Sequence, residues 1–151
     1  MRRPEEVLVV IHRAGGDERE FLVLERSPER QGYWHLVAGA LEPGEQPVDA
    51  ARRELVEEVA LDDMQVVDLE RSYVYSLDDE PPEVRARFEP EVAEIAVTSF
   101  VVEVPPGWEP TLDDEHVSYR WCSAREALSL LWYPEPRDAV QRAAALLGST
   151  G

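Results

Sequence analysis

Glu54, Glu57 and Glu58 stand at i, i+3 and i+4 within the run Arg53-Glu54-Leu55-Val56-Glu57-Glu58. On a helix that spacing projects three carboxylates from one face. Each like-charged pair costs a helix roughly 0.2–0.5 kcal/mol, and a hard divalent cation removes the repulsion. Mg2+ takes oxygen ligands in an octahedron and keeps several waters. Its remaining positions can accept phosphate oxygens and a water that the ion acidifies, while it polarises the phosphoryl group. Taken alone, Glu-x-x-Glu-Glu reads first as a solvated acidic face, because charged runs are usually surface. Its surroundings change that reading.

The elements that would position these residues can be traced along the chain. Residues 38–46 form a loop containing Gly39, Pro43 and Gly44, and Pro47 suits the first turn of a helix. Val48, Ala51, Leu55 and Val59 recur at helical spacing, so the helix should end near Ala60. Arg53 precedes Glu57 by four residues, an ion-pairing distance on a helix. Upstream, residues 7–11 and 21–26 are apolar β-rich runs around the turn Ala14-Gly15-Gly16-Asp17, which predicts a hairpin closed off by Ser27-Pro28. Residues 33–37 make a short strand. Downstream, residues 66–77 and 95–104 are strands separated by an acidic, proline-containing loop over 78–90. A further strand spans 117–122. Ser123 with Glu126 forms a capping box, and residues 134–147 make an amphipathic helix. Without an internal repeat or linker, the order describes one mixed α/β domain over residues 1–151, with helices packed on a sheet.

Composition bounds the function. The 151 residues are 44% hydrophobic, enough for one core. No apolar run approaches the ~20 residues of a membrane span, and the five apolar residues 7–11 are too few for a secretory signal. The expectation is a cytoplasmic protein with no membrane partner, a monomer or homodimer. Fifteen basic residues, all arginine, face 32 acidic ones, a net charge of −17. That excludes long nucleic acid as a partner, since affinity there comes from neutralising phosphates. A small phosphorylated substrate stays available if metal ions bridge the repulsion. Cys122, the single cysteine, can form neither an internal disulfide nor a thiolate metal site alone, and is read as core. Trp121 and Trp132 are read as core as well.

The chain resembles the Nudix hydrolases. Their motif is a glycine, five residues, a glutamate, seven residues, then Arg-Glu-aliphatic-x-Glu-Glu-x-Gly-aliphatic. Here Gly39, Glu45, Arg53-Glu54-Leu55-Val56-Glu57-Glu58 and Val59-Ala60-Leu61 supply it, with Ala60 in place of the last glycine. The resemblance implies the Nudix fold, an α+β arrangement in which a mixed sheet is packed between helices as an α/β/α sandwich. It implies Glu54, Glu57 and Glu58 as metal ligands, one of them a base, with Mg2+ as cofactor and Mn2+ as its substitute. Glu45 and Arg53 would tie loop to helix, and Gly39 would mark a tight backbone bend. The glycine usual at Ala60 closes the helix in a left-handed conformation that alanine disfavours, so the helix is expected to end differently or one residue later.

The lead-in Tyr33-Trp34-His35-Leu36-Val37-Ala38-Gly39, the alanine at 60 and the run Asp114-Glu115-His116-Val117-Ser118-Tyr119-Arg120-Trp121 together are similar to bacterial dihydroneopterin triphosphate pyrophosphatases. That resemblance implies hydrolysis of a pterin or (deoxy)nucleoside triphosphate at a phosphoanhydride bond. It adds Glu115 as a fourth metal-binding carboxylate, and Arg26, Ala38 and Arg2 as substrate-binding residues. Tyr33 and Trp34 are candidates to stack a planar ring, against the alternative that they are core. The Glu-His-x-x-Tyr-Arg-Trp run is also similar to diadenosine polyphosphate hydrolases, and a non-catalytic nucleotide-sensing Nudix module is the remaining alternative.

Overall fold

A computed structural model of the chain describes residues 2–148; Met1 and residues 149–151, the ends of the expected domain, lie outside it. The elements in order are β1 (Glu5–Arg13), β2 (Glu20–Arg26), β3 (Trp34–His35), β4 (Val37–Ala40), α1 (Pro47–Val59), β5 (Val67–Ser76), the single turn α2 (Pro82–Arg85), β6 (Glu94–Glu103), β7 (His116–Cys122), α3 (Ala124–Leu130) and α4 (Pro134–Gly148).

The first apolar run becomes the middle of the sheet. A strand covered on both faces needs an unbroken apolar run rather than alternation, and residues 7–11 supply one. Val7, Val9 and Ile11 face one core and Leu8 and Val10 the other, as the two-residue period of a strand requires. β1 pairs antiparallel with β2 and β4 and parallel with β6; β5 extends the sheet beyond β6, and β3 and β7 both pair with β2. The result is a mixed seven-stranded sheet. α1 buries Ala50, Ala51, Leu55 and Val59 against the Val7-Val9-Ile11 face. Ala127 of α3 and Ala139, Val140 and Ala143 of α4 cover the opposite face. The expected α+β sheet between helical layers is therefore present. Among the described residues no helix is long and apolar enough to cross a membrane.

Several local expectations change. Residues 33–37 divide into two strands, and β4 takes the first residues of the expected 38–46 loop, so Gly39 lies in a strand. The 78–90 segment holds a 3-10 turn at Leu77–Asp79 and then α2. Trp132 is 74% exposed rather than core. Cys122 is buried on β7, and burial pushes its thiol up to about 11. The Ser123–Glu126 capping box forms as read. Ala60 does not shift the helix end: α1 stops at Val59 and Ala60 itself takes φ 60°, ψ 37°. Its N–H donates to Val56 O at 3.1 Å, and the Leu61 N–H reaches back to Leu55 O at 3.1 Å. These bonds hold the residue in the conformation that glycine would adopt without strain.

Candidate catalytic cleft

α1 rests its apolar stripe on the sheet and carries its carboxylates at the edge of that contact. Glu54 and Glu58, one turn apart, are buried, at 8% and 4% exposure, while Glu57 points to solvent. Gly39 of β4 packs directly on Glu54: a Cβ there would overlap the carboxylate. The absence of a side chain is thus what the position requires. Gly39 has no positive φ, so the expected tight bend is corrected to a close approach between strand and helix.

Glu58 hydrogen-bonds the Glu54 carboxyl and meets the backbone of Ala38. Burial, foremost, holds its pKa well above the usual carboxylate range; the Glu54 contact and the charge of Asp113 push the same way, and Ala38 opposes them. His116 brings Nε2 to 3.7 Å from Glu58 Oε1. That nitrogen is buried without a hydrogen-bond partner, while Nδ1 lies 2.7 Å from Asp113 Oδ1. The Asp113 N–H in turn donates to Glu58 O at 3.2 Å, locking the loop before β7 onto the end of α1.

Arg53 joins the preceding loop to the helix. Its Nε and Nη2 donate to the two Glu45 oxygens at 2.9 Å each, and Nη2 also donates to Ala40 O at 2.9 Å. Nη1 reaches Glu54 Oε1 at 2.7 Å and Glu57 Oε2 at 3.3 Å. The two-pronged contact holds Glu45 down at about 2. Glu115 sits on the loop leading into β7, its carbonyl accepting from Ser27 N–H and its carboxylate 3.1 Å from Arg30. Glu54 and Glu58 are therefore together, with Arg53 on Glu54 as well as on Glu57 and Arg30 on Glu115. Among the described residues no three acidic, histidine or cysteine side chains gather closely enough to hold a metal ion.

All four glutamates line one cleft of about 800 Å3, with Ala38 and Gly39. Arg2 and Arg26 line it too, each with a buried Nε that has no partner. The Arg26 guanidinium carbon stands 5.2 Å from the Tyr33 ring centroid, and the edge of Tyr133 meets Tyr33 at 5.0 Å. Trp34 is not a cleft residue. The strand period sends it, with Leu36, to the core under α3 and α4, and Tyr33 and His35 to the other side.

Asp113, Arg30, Tyr133 and Glu135 were not singled out from the sequence. Their place in the cleft depends on tertiary contact, as Arg30 with Glu115 and Tyr133 with Tyr33 show. The Asp113-x-x-His116 spacing was the one local signal, of the kind that puts a carboxylate beside an imidazole.

This arrangement can be set against known proteins. An octanoyltransferase of Myxococcus xanthus is 34% identical over 139 residues; the match takes in 92% of this chain, but the chain spans only 36% of that protein. The dihydroneopterin triphosphate diphosphatase of Escherichia coli K12 is 28% identical over 145 residues, covering 93% of this chain and 92% of that one. The solved structure of the E. coli dihydroneopterin triphosphate pyrophosphohydrolase superimposes with a TM-score of 0.80 at 27% identity, over 95% of this chain and 97% of its own. The family model of the NUDIX domain matches residues 2–143, a span that contains the sheet, the carboxylate helix and the cleft, and the chain accordingly belongs to the Nudix hydrolase family.

Proposed function

We propose that this chain hydrolyses a phosphoanhydride bond in a pterin or (deoxy)nucleoside triphosphate, dihydroneopterin triphosphate first among them, with Mg2+ as its metal and Mn2+ as a substitute. One observation carries the reading: a buried pair of carboxylates, Glu54 and Glu58, lies in a cleft that also holds arginines with unpartnered buried nitrogens. The E. coli relatives named for dihydroneopterin triphosphate support the choice of substrate.

The donor set fits a hard cation. Two adjacent buried carboxylates demand either a shared proton or a positive charge, and all the oxygens offered are of the type Mg2+ prefers. Glu54 and Glu58 would hold the ion, joined by Glu57 and Glu115, once Arg53 leaves Glu54 and Glu57 and Arg30 leaves Glu115. Bound there, a divalent ion supplies charge neutralisation and a more acidic water. Arg26 and Arg2 bind the phosphate oxygens, pairing their free N–H groups with the substrate. A glutamate of the set takes the proton from water. Water adds to one phosphorus, the bridging oxygen leaves with the departing phosphate, and a triphosphate yields monophosphate and pyrophosphate.

The test is product analysis with dihydroneopterin triphosphate, the common NTPs and dNTPs, diadenosine tetraphosphate and ADP-ribose. Wild type should release pyrophosphate from a triphosphate, and Glu58→Gln, folded by circular dichroism, should lose roughly 10²–10⁴-fold in kcat. Full activity in the variant would sink the scheme. Preference for the dinucleotide would replace the substrate class, and silence across the panel would favour a nucleotide sensor.

A further inference from the structure

The cleft has a second end that the reaction itself does not use. A chain of contacts leads to it from the carboxylate pair: Glu58 faces His116 at 3.7 Å, His116 is the register partner of Arg26 across β2 and β7, and Arg26 lies over Tyr33. Tyr33 meets Tyr133 edge-on, with interplanar angle 86°, and His35 packs beside both rings. Two residues beyond Tyr133 comes Glu135, in the first turn of α4. A glutamate there ordinarily stays in water beside the positive end of the helix. Its Oε2 is instead buried with no hydrogen-bond partner, in a side chain that lines the cleft.

An acceptor left without a donor costs free energy, and rotation of this half-buried carboxylate about its last bond would turn the oxygen to donors that a ligand in the cleft supplies. The other acids at this end differ. Glu6 already accepts from the Tyr75 hydroxyl at 2.8 Å and pairs with Arg2 at 3.5 Å, and Glu80 has no fully buried, unpartnered oxygen among the described residues.

Resting on the triphosphate reading above, we infer that Glu135 reads the substrate's ring, its carboxylate accepting the two neighbouring N–H donors of a 2-amino-4-oxopyrimidine edge. Guanine and pterins share that edge, a ring N–H beside an exocyclic amine, and a carboxylate matches it with two parallel bonds. Adenine offers an acceptor where the ring N–H should be, so it would set lone pair against lone pair. Uracil offers one donor only. The tyrosine rings supply the planar apolar contact that a heterocycle needs, and the phosphates of the same ligand extend past Arg26 toward Glu54 and Glu58. The pocket therefore selects the guanine–pterin class over adenine, and Glu135 is the residue that sets the selection.

The decisive measurement is binding, which does not depend on turnover. Wild type, Glu135→Gln and Glu80→Gln are titrated calorimetrically with the α,β-methylene analogues of GTP and ATP in Mg2+. Wild type should bind the guanine analogue at least about tenfold more tightly, the effect of a buried bond gained against one left unmade. Glu135→Gln, with an unchanged melting temperature, should bring the two affinities within about threefold of each other, mainly by weakening the guanine analogue. Glu80→Gln should keep the wild-type ratio. Equal affinities in wild type, no binding of either analogue, an unchanged ratio in Glu135→Gln or a lost ratio in Glu80→Gln each overturns the assignment. Pyrophosphate release by wild type from GTP is followed separately: selectivity without release refutes the hydrolase reading alone, and release without selectivity refutes the role of Glu135 alone.

Discussion

At the scale of single residues, two glycines separate what the cleft needs from what the backbone needs. Gly39 has ordinary strand geometry and no room for a Cβ beside Glu54. Gly44 has φ 77° and open space around it. Gly39→Ala should therefore displace the Glu54 carboxylate, lowering turnover by about 10²-fold and stability by about 1–3 kcal/mol. Gly44→Ala should cost about 1–2 kcal/mol through its left-handed backbone and leave kcat near wild type. Melting curves and initial rates on the same two variants check both halves; equal rates in the two would show that the strand–helix contact does not position Glu54.

His35 makes a separate prediction about pH. Burial lowers it to about 4 from its ordinary 6.5, more than the backbone carbonyl of Leu36 raises it, and Arg26 pushes it down further. In its neutral form Nδ1 accepts from the Leu36 N–H at 2.8 Å. Because the folded pKa is depressed, the unfolded chain binds the extra proton first as pH falls. Stability is then full above about 6.5 and declines toward pH 4. Glu and Asp side chains titrate near the lower end of that window, so the informative quantity is the difference between wild type and His35→Gln. Denaturant melts at pH 7.5 and 4.5 should show the wild type losing about 1–3 kcal/mol more than the variant. Parallel losses would mean that the imidazole is solvated enough to protonate in place.

At the scale of elements, α1 ends under strain. A left-handed alanine costs about 1–2 kcal/mol, and Ala60 is held there by bonds to the last turn. Ala60→Gly removes the strain and gives back part of it through the freer unfolded chain. The net gain should be about 1 kcal/mol, raising Tm by about 2–4 °C in a chain of this length, with the rate unchanged. A lower Tm would mean that the alanine methyl packs usefully.

The same helix shows how far local sequence reaches. Its start at Pro47, its apolar stripe and its carboxylate spacing are short-range facts, and all were legible. So were the hairpin of β1 and β2 and the capping box at Ser123. The parallel pairing of β1 with β6 joins residues about ninety positions apart, and no local pattern encodes it. Residues 33–40 read as strand then loop because Gly39 looks like a turn residue; its true role, clearance for Glu54, exists only once β4 and α1 meet. Residue types at the site were legible, and so was Arg53 on Glu57, four residues apart on one helix; Arg30 on Glu115 was not. Arg53 acts within the motif, yet Arg30 ends the 3-10 turn Pro28–Arg30 after β2, and its approach to Glu115 depends on how β7 docks. Trp132 was misplaced for the converse reason: an aromatic residue suggests burial, but here it falls on the outward side of the connection into α4.

At the scale of the molecule, the charge of −17 sets how the protein meets its solvent. The folded chain holds that surplus in a smaller volume than the unfolded one, so self-repulsion disfavours folding. Ion pairs oppose it: Arg13 binds Glu20 at 2.8 Å and Glu109 at 2.7 Å while lying 3.9 Å over Trp121, and Arg53 binds Glu45. Salt weakens both effects, but unequally. Raising ionic strength from about 0.01 to 0.15 M shortens the screening length from about 30 to 8 Å, which removes long-range repulsion between surface acids and scarcely touches partners in contact. Added NaCl should therefore raise the melting temperature at pH 7.5 by a few degrees, on the order of 1 kcal/mol, with most of the rise complete by about 0.2 M. KCl should act as NaCl does if the effect is screening, and Mg2+ should exceed both at equal ionic strength if the acidic cleft also binds it, by the mass action of a ligand that prefers the folded state. Glu54→Gln/Glu58→Gln should then abolish the Mg2+ excess and leave the monovalent response intact, which separates a general acidic surface from a site that holds the ion.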